Sequence, residues 1–141
     1  MAKHDIKNKI VAFTGNNEVG YGTEGASIAG VVISIESAGP VAVFPLAYDG
    51  IENSATYMLN EATKTALGIT GDFVVSVKRS VMVENVKISA TASKQPTVGG
   101  AIAVDGTGGV VKLDLSTATV PAMAIATAVD TTAKTATIQI V

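Results

Sequence analysis

From residue 96 to residue 141 the chain repeats one unit: a short run of small and β-branched residues, then a cluster of turn formers. Val98-Gly99-Gly100-Ala101-Ile102-Ala103-Val104 leads into Asp105-Gly106-Thr107-Gly108-Gly109, and Val110-Val111-Lys112 leads out. Pro121-Ala122-Met123-Ala124-Ile125-Ala126-Thr127-Ala128-Val129 follows, and after Asp130-Thr131-Thr132-Ala133 the chain closes on Ala136-Thr137-Ile138-Gln139-Ile140-Val141. Val, Ile and Thr pack well on a pleated surface, whereas Asp-Gly and Gly-Gly supply the backbone conformations that hairpin loops need. Such a stretch folds as successive antiparallel hairpins. Its strands carry almost no reactive side chain, which points to function at a surface.

The preceding residues extend this pattern. Residues 9–14 read as a strand, and 15–30 as a long Gly-rich loop. Residues 30–36 form a strand with Val31, Ile33 and Ile35 on one face. A turn at Ser37-Ala38-Gly39-Pro40 returns the chain into a strand at 41–44, with Pro45 at its end and Asp49-Gly50 as the next turn. Residues 53–68 show the one helical spacing: Ala55, Met58, Leu59, Ala62 and Ala66, with Asn53 or Ser54 as N-cap and Gly68 as terminator. From Gly71 onward every segment reads as strand. Phe73, Val75 and Val77 share one face. The apolar phase shifts between Val81/Val83 and Val86/Ile88, predicting a bulge or bend near Glu84-Asn85. The expected fold is all-β: a small barrel or sandwich of short antiparallel strands, with one short helix at about 54–67. An extended N-terminal arm, residues 1–9, precedes a single β-rich domain over 10–141.

At 141 residues the chain is long enough to bury a core, and 48% hydrophobic against 16% charged residues argues against disorder. A net charge of -2 gives no field for nucleic acid or an anionic membrane. No basic–aromatic interleaving suited to single-stranded nucleic acid is present. The absence of Cys removes disulfides, thiolate metal sites and thiol nucleophiles. The polar start, Met1-Ala2-Lys3-His4-Asp5, lacks the apolar stretch of a signal peptide, and the run 118–129 is too short to cross a bilayer.

Chemical motifs are sparse. Gly20-Tyr21-Gly22-Thr23-Glu24-Gly25 matches G-x-G-x-x-G, but a dinucleotide site needs these glycines between a strand and a helix. Strand-like residues 28–35 follow here instead, so the segment reads as a loop. Asp105-Gly106-Thr107-Gly108-Gly109 lacks the ligand series of a calcium loop and reads as a hairpin turn. His4 is the one histidine and sits in the arm, which leaves no His-based triad or zinc site within one chain. The twelve carboxylates and the Lys78-Arg79 pair read as solvated groups. No enzyme, metal or cofactor is expected.

The order Gly71-Asp72-Phe73-Val74-Val75-Ser76-Val77, Val98-Gly99-Gly100-Ala101-Ile102-Ala103-Val104-Asp105-Gly106, Gly109-Val110-Val111-Lys112 and Pro121-Ala122-Met123-Ala124-Ile125-Ala126, closing on Thr137-Ile138-Gln139-Ile140-Val141, resembles the capsid decoration (head cement) proteins of tailed bacteriophages. The likeness covers about residues 71–141, with Met123-Ala124 standing where a Gly-Ile or Gly-Val pair is common. It implies a structural virion protein on the capsid exterior, partnered by the major capsid protein and by copies of itself as a trimer. Its role would be to stabilise the shell by clamping neighbouring capsid subunits. Contacts with capsid are then expected from Lys3, His4, Asp5, Ile6 and Lys7 in the arm. Contacts with capsid or a sister subunit are expected from Asn16, Asn17, Tyr21 and Thr23 in the loop. Alternatives are another phage structural component (tail tube, connector or fibre) and a small ligand-binding β module.

Overall fold

The computed structural model describes residues 5–37 and 54–141. The expected turn at 37–40, the strand at 41–44 and the turn at Asp49-Gly50 lie outside the described residues, apart from Ser37. Five strands close a barrel in the order β1-β2-β4-β5-β3. They are β1 (Ile10–Gly15), β2 (Glu18–Gly20), β3 (Ile28–Ser37), β4 (Ser54–Leu59) and β5 (Phe73–Lys78). A second layer follows in the chain. β6 (Val81–Lys87), β10 (Thr135–Ile140) and β9 (Ala124–Asp130) form a three-stranded sheet in the order β6-β10-β9. β7 (Ile102–Val104) and β8 (Val110–Lys112) form a separate hairpin. The all-β expectation with one helix holds, in its barrel form.

Two cores account for the architecture. Every barrel strand sends apolar side chains inward: Val11, Val19, Val32, Leu59 and Val75 meet there with Phe73 and Val77. The second core lies between the outer wall of the barrel and the added strands. Ile10, Ala12, Ile28 and Val31 from the wall meet Val86, Ile102, Val110, Ala126, Ile138 and Ile140. Strand β1 therefore buries both faces, because successive side chains point opposite ways and both sides are covered. Its unbroken apolar run, Ile10-Val11-Ala12, is the sequence form of such a strand.

Bulges change which core a strand serves. Pairing of β3 with β5 slips between Val32 and Ser34. Val31 and Ile33 consequently face the outer core, whereas Ile35 turns with Val32 into the barrel. This corrects the expectation of one shared face for Val31, Ile33 and Ile35. The expected bulge in β6 lies where the phase shift put it. Ala136 and Ile138 of β10 are paired with Val86 and Val83, so β6 carries one extra residue, and Asn85 takes φ 57°.

Three other expectations are corrected. Ser54–Leu59 is strand β4, and the helix is only α1 (Glu61–Leu67), capped by Asn60, whose side chain accepts the Thr63 N–H. Pairing with β5 over Ser54–Met58, and parallel pairing with β2 at Met58 and Leu59, build β4 into the closed barrel. That outweighs the helical spacing of its side chains. The helix buries Thr63, Lys64 and Leu67 and leaves Ala62 and Ala66 exposed. The segment 15–30 is likewise no continuous loop. Asn16 and Asn17 turn β1 into β2, with Asn17 at φ 54°, and β3 already begins at Ile28. Finally, the described part of the arm is docked. Ile6 is fully buried in the barrel core, the Asn8 N–H donates to the Val32 carbonyl at 2.8 Å, and the Val32 N–H donates to the Lys9 carbonyl at 3.0 Å.

Close packing leaves little room at the closure of the barrel. A Cβ on Gly30 would lie 2.5 Å from the Lys78 carbonyl oxygen and 2.5 Å from Val77 Cγ1. Gly30→Ala is expected to destabilise by about 1–3 kcal/mol, the usual cost of overpacking. Asn60→Ala, which removes only the cap, is expected to cost about 1 kcal/mol. Urea unfolding of both variants beside the parent measures each difference.

Candidate binding surface

Among the described residues, those expected to make contacts do not converge on one patch. Lys3 and His4 lie outside the described residues. Asp5 and Lys7 are exposed on either side of Ile6, which is buried and unavailable to a partner. Asn16 and Asn17 are exposed at the tip of the β1–β2 hairpin, beside β4, where the Met58 N–H donates to the Asn17 carbonyl at 2.9 Å.

Tyr21 and Thr23 do share a concavity, of about 420 Å³, between the end of β1, residues 21–26 and helix α1. Its construction starts at the helix cap. Asn60 Oδ1 accepts the Thr63 N–H at 2.9 Å, and Thr63 Oγ1 accepts the Tyr21 N–H at 3.0 Å. Gly20 stands against this pair: a Cβ there would run into Asn60 Oδ1 and Thr63 Oγ1. The first glycine of the G-x-G-x-x-G match thus serves close approach of strand and helix cap. The segment then continues into β3, not into a helix. Gly25 N–H and Ala26 carbonyl bond to Val104, at 2.9 and 3.0 Å, tying the segment to β7. Phe13 borders the concavity, half exposed, and meets Tyr57 edge-on with ring centroids 5.3 Å apart.

Among the described residues, Tyr21 is the one titratable side chain that lines this concavity. Burial raises its phenol pKa above the ordinary value, and the carboxylates of Asp5 and Asp105 raise it further. Each effect opposes the phenolate. Asp105 itself is held by its turn: Oδ1 accepts from Thr107 N at 2.6 Å, Thr107 Oγ1 at 2.9 Å and Gly109 N at 3.0 Å. Asp130 organises the β9–β10 turn similarly, with Oδ1 accepting from Thr132 and Ala133 N–H at 3.0 and 2.9 Å. Both loops are explained by turn chemistry.

Two further surfaces carry residues that the sequence reading did not single out. The outward face of the three-stranded sheet aligns Met82, Gln139 and Ile125 in one cross-strand row, and Thr137 with Ala128 in the next. Met82 is 55% and Ile125 42% exposed. Charge enters at the far row, where Lys87 and Asp130 flank Thr135, and at Glu84 in the bulge. Strict alternation of Ala124, Ile125 and Ala126, buried–exposed–buried, is the signal that could have found Ile125. The other surface is a cleft between the barrel and β6, where Lys7 is joined by Lys9, Lys78 and Lys87. No local motif marks this group, because its lysines come from three separate places in the chain: Lys7 with Lys9, Lys78 and Lys87.

Compared with protein-family models, with curated proteins and with solved structures, the chain gives no match.

The coupling of Asp5 to Tyr21 is measurable. The fold favours the neutral phenol, so its contribution to stability is present below the ordinary tyrosine pKa. It is lost as pH rises through the raised value. Asp5→Asn is expected to lower the Tyr21 pKa while leaving it above that of an exposed tyrosine, since burial persists. Site-resolved NMR titration of the three tyrosines provides the check.

Proposed function

We propose that this protein is a structural component of a tailed-phage virion, bound to the outer surface of the capsid. There it stabilises the shell by clamping neighbouring major capsid subunits. The observation that carries this reading is the outward sheet face with its Met82–Gln139–Ile125 row. A sheet face with Met82 and Ile125 exposed and charge confined to its margin suits contact with another protein surface. The strands that build it, β6, β9 and β10, fall largely within the region resembling decoration proteins. The hairpin of β7 and β8 also belongs to that region and packs its residues beneath this sheet.

In this reading the sheet face meets the shell or a sister subunit, and self-association as a trimer multiplies weak contacts. Contacts repeated over a lattice give avidity without any single strong bond. Asn16, Asn17, Tyr21 and Thr23 form secondary contacts at the barrel end. Ile6 acts from within, by fixing the backbone that presents Asp5 and Lys7.

Purified particles are expected to contain the chain at a copy number set by the symmetry of the shell. Particles lacking it should rupture at lower temperature and regain resistance on adding it back. Ile125→Glu with Met82→Glu should reduce attachment at least about tenfold, since charge in an apolar contact costs more than 1.4 kcal/mol. Equal thermal resistance with and without the protein, and no rebinding, would sink the reading. Density along the tail would reassign the protein to the tail.

A further inference from the structure

The cleft between the barrel and β6 has a volume of about 730 Å³ and combines three features. Its walls carry Lys7, Lys9, Lys78 and Lys87, four of the ten basic residues in the chain, against one carboxylate, Glu84. Its floor is aliphatic. Val31 and Ile33 come from the barrel wall and Val81 and Val83 from β6, and of these only Val31 is fully withdrawn from solvent. Its third feature is a strand edge. β6 is the end strand of its sheet, and among the described residues Val81, Met82 and Val83 pair with β10 and with no other strand.

These features call for different groups on one ligand. Unpaired backbone along an edge strand is satisfied by another extended chain, whose N–H and C=O groups continue the ladder. Aliphatic floor residues call for aliphatic side chains at every second position of that chain. The ammonium groups of Lys7, Lys9 and Lys87 call for carboxylates. Lys7 and Lys9 make no ion pair among the described residues, and Lys87 only donates to Thr107 Oγ1, at 3.3 Å. A phosphate polymer would answer the lysines alone. It would leave the strand edge unpaired and the aliphatic floor uncovered.

We propose that this cleft is a docking site for an extended acidic segment of another protein, in which carboxylates alternate with aliphatic residues and which adds as a strand to β6. Strand addition supplies register and most of the contact, and the lysines select for acidic sequence and speed encounter. The cleft shares Met82, Glu84 and Lys87 with the margin of the outward sheet face, but peptide binding by the isolated chain reads it independently of any capsid contact.

The test uses the full chain and a fluorescein-labelled heptapeptide, Glu-Val-Glu-Thr-Glu-Val-Glu, read by fluorescence anisotropy. Saturable binding is expected, weakening as salt is raised, with amide shifts in NMR spectra concentrated at residues 81–85. The same peptide with Lys for Glu should not bind. A version N-methylated at alternate backbone amides should bind at least about tenfold more weakly, because it cannot complete the ladder. The double variant Lys7→Glu, Lys87→Glu should lose about tenfold or more in affinity. Its thermal melt should match that of the parent, since both side chains are exposed. No binding of the acidic peptide, equal binding of the N-methylated form, or shifts located elsewhere overturns the proposal. Tighter binding of heparin or oligothymidylate to the same lysines also overturns it, in favour of a polyanion site.

Discussion

The rest of the structure depends on a wall buried on both sides. Strand β1 and the first half of β3 close the barrel, and their outer faces are the floor on which the second layer packs. Ile10, Ala12, Ile28 and Val31 serve the outer core while Val11, Ala29 and Val32 serve the inner one. Neither core is large. Sharing a wall lets one set of backbone hydrogen bonds hold two apolar interfaces, so each core raises the cost of opening the other. Ile6 and the backbone of Asn8 and Lys9 seal this wall at its start. For that reason residues 5–9 behave as part of the fold and not as a free arm.

The change from barrel to second layer is made with single extra residues. A slip at Val32–Ser34 returns the later part of β3 to the barrel once the outer core has been served. Ser80, at φ 54°, and the bulge at Asn85, at φ 57°, redirect the chain where it leaves β5 and runs along β6. An added residue reverses which side chains face inward, and it also bends the strand. The lysine-lined cleft lies where the end strand β6 meets the barrel wall.

Polar groups inside the fold are joined to it by specific bonds. Lys64, only 5% exposed, donates to the Gly71 carbonyl at 2.7 Å and pairs with Glu61 at 2.9 Å. It thereby fixes the chain between α1 and β5. Thr63 couples the helix cap to β2 through the Tyr21 N–H. Buried side-chain nitrogen and oxygen atoms lacking a partner are absent among the described residues.

Local chemistry made the hairpins legible in the sequence. Asp105 and Asp130 turn the chain with their own side chains, and Phe73, Val75 and Val77 alternate into the barrel as their spacing requires. The phase shift at Glu84-Asn85 revealed a bulge because a period of two tolerates no extra residue without a break. Other elements were decided only by the tertiary structure. Helical spacing over 53–68 gave way at 54–59 because β4 pairs with β5 over Ser54–Met58 and with β2 at Met58 and Leu59, and Asn60 then capped what remained. A three-residue strand such as β2 is too short to leave a periodic signal, and it exists because β1 and β4 flank it. Candidate contacts were legible only as residue types: Tyr21 and Thr23 meet in space, while Ile6 is claimed by the core. What the sequence by itself determined was the strands and turns whose causes lie within a few residues. Barrel closure, the double-faced wall and the gathering of Lys7, Lys9, Lys78 and Lys87 were decided by the tertiary structure, because each depends on backbone edges and side chains far apart in the chain.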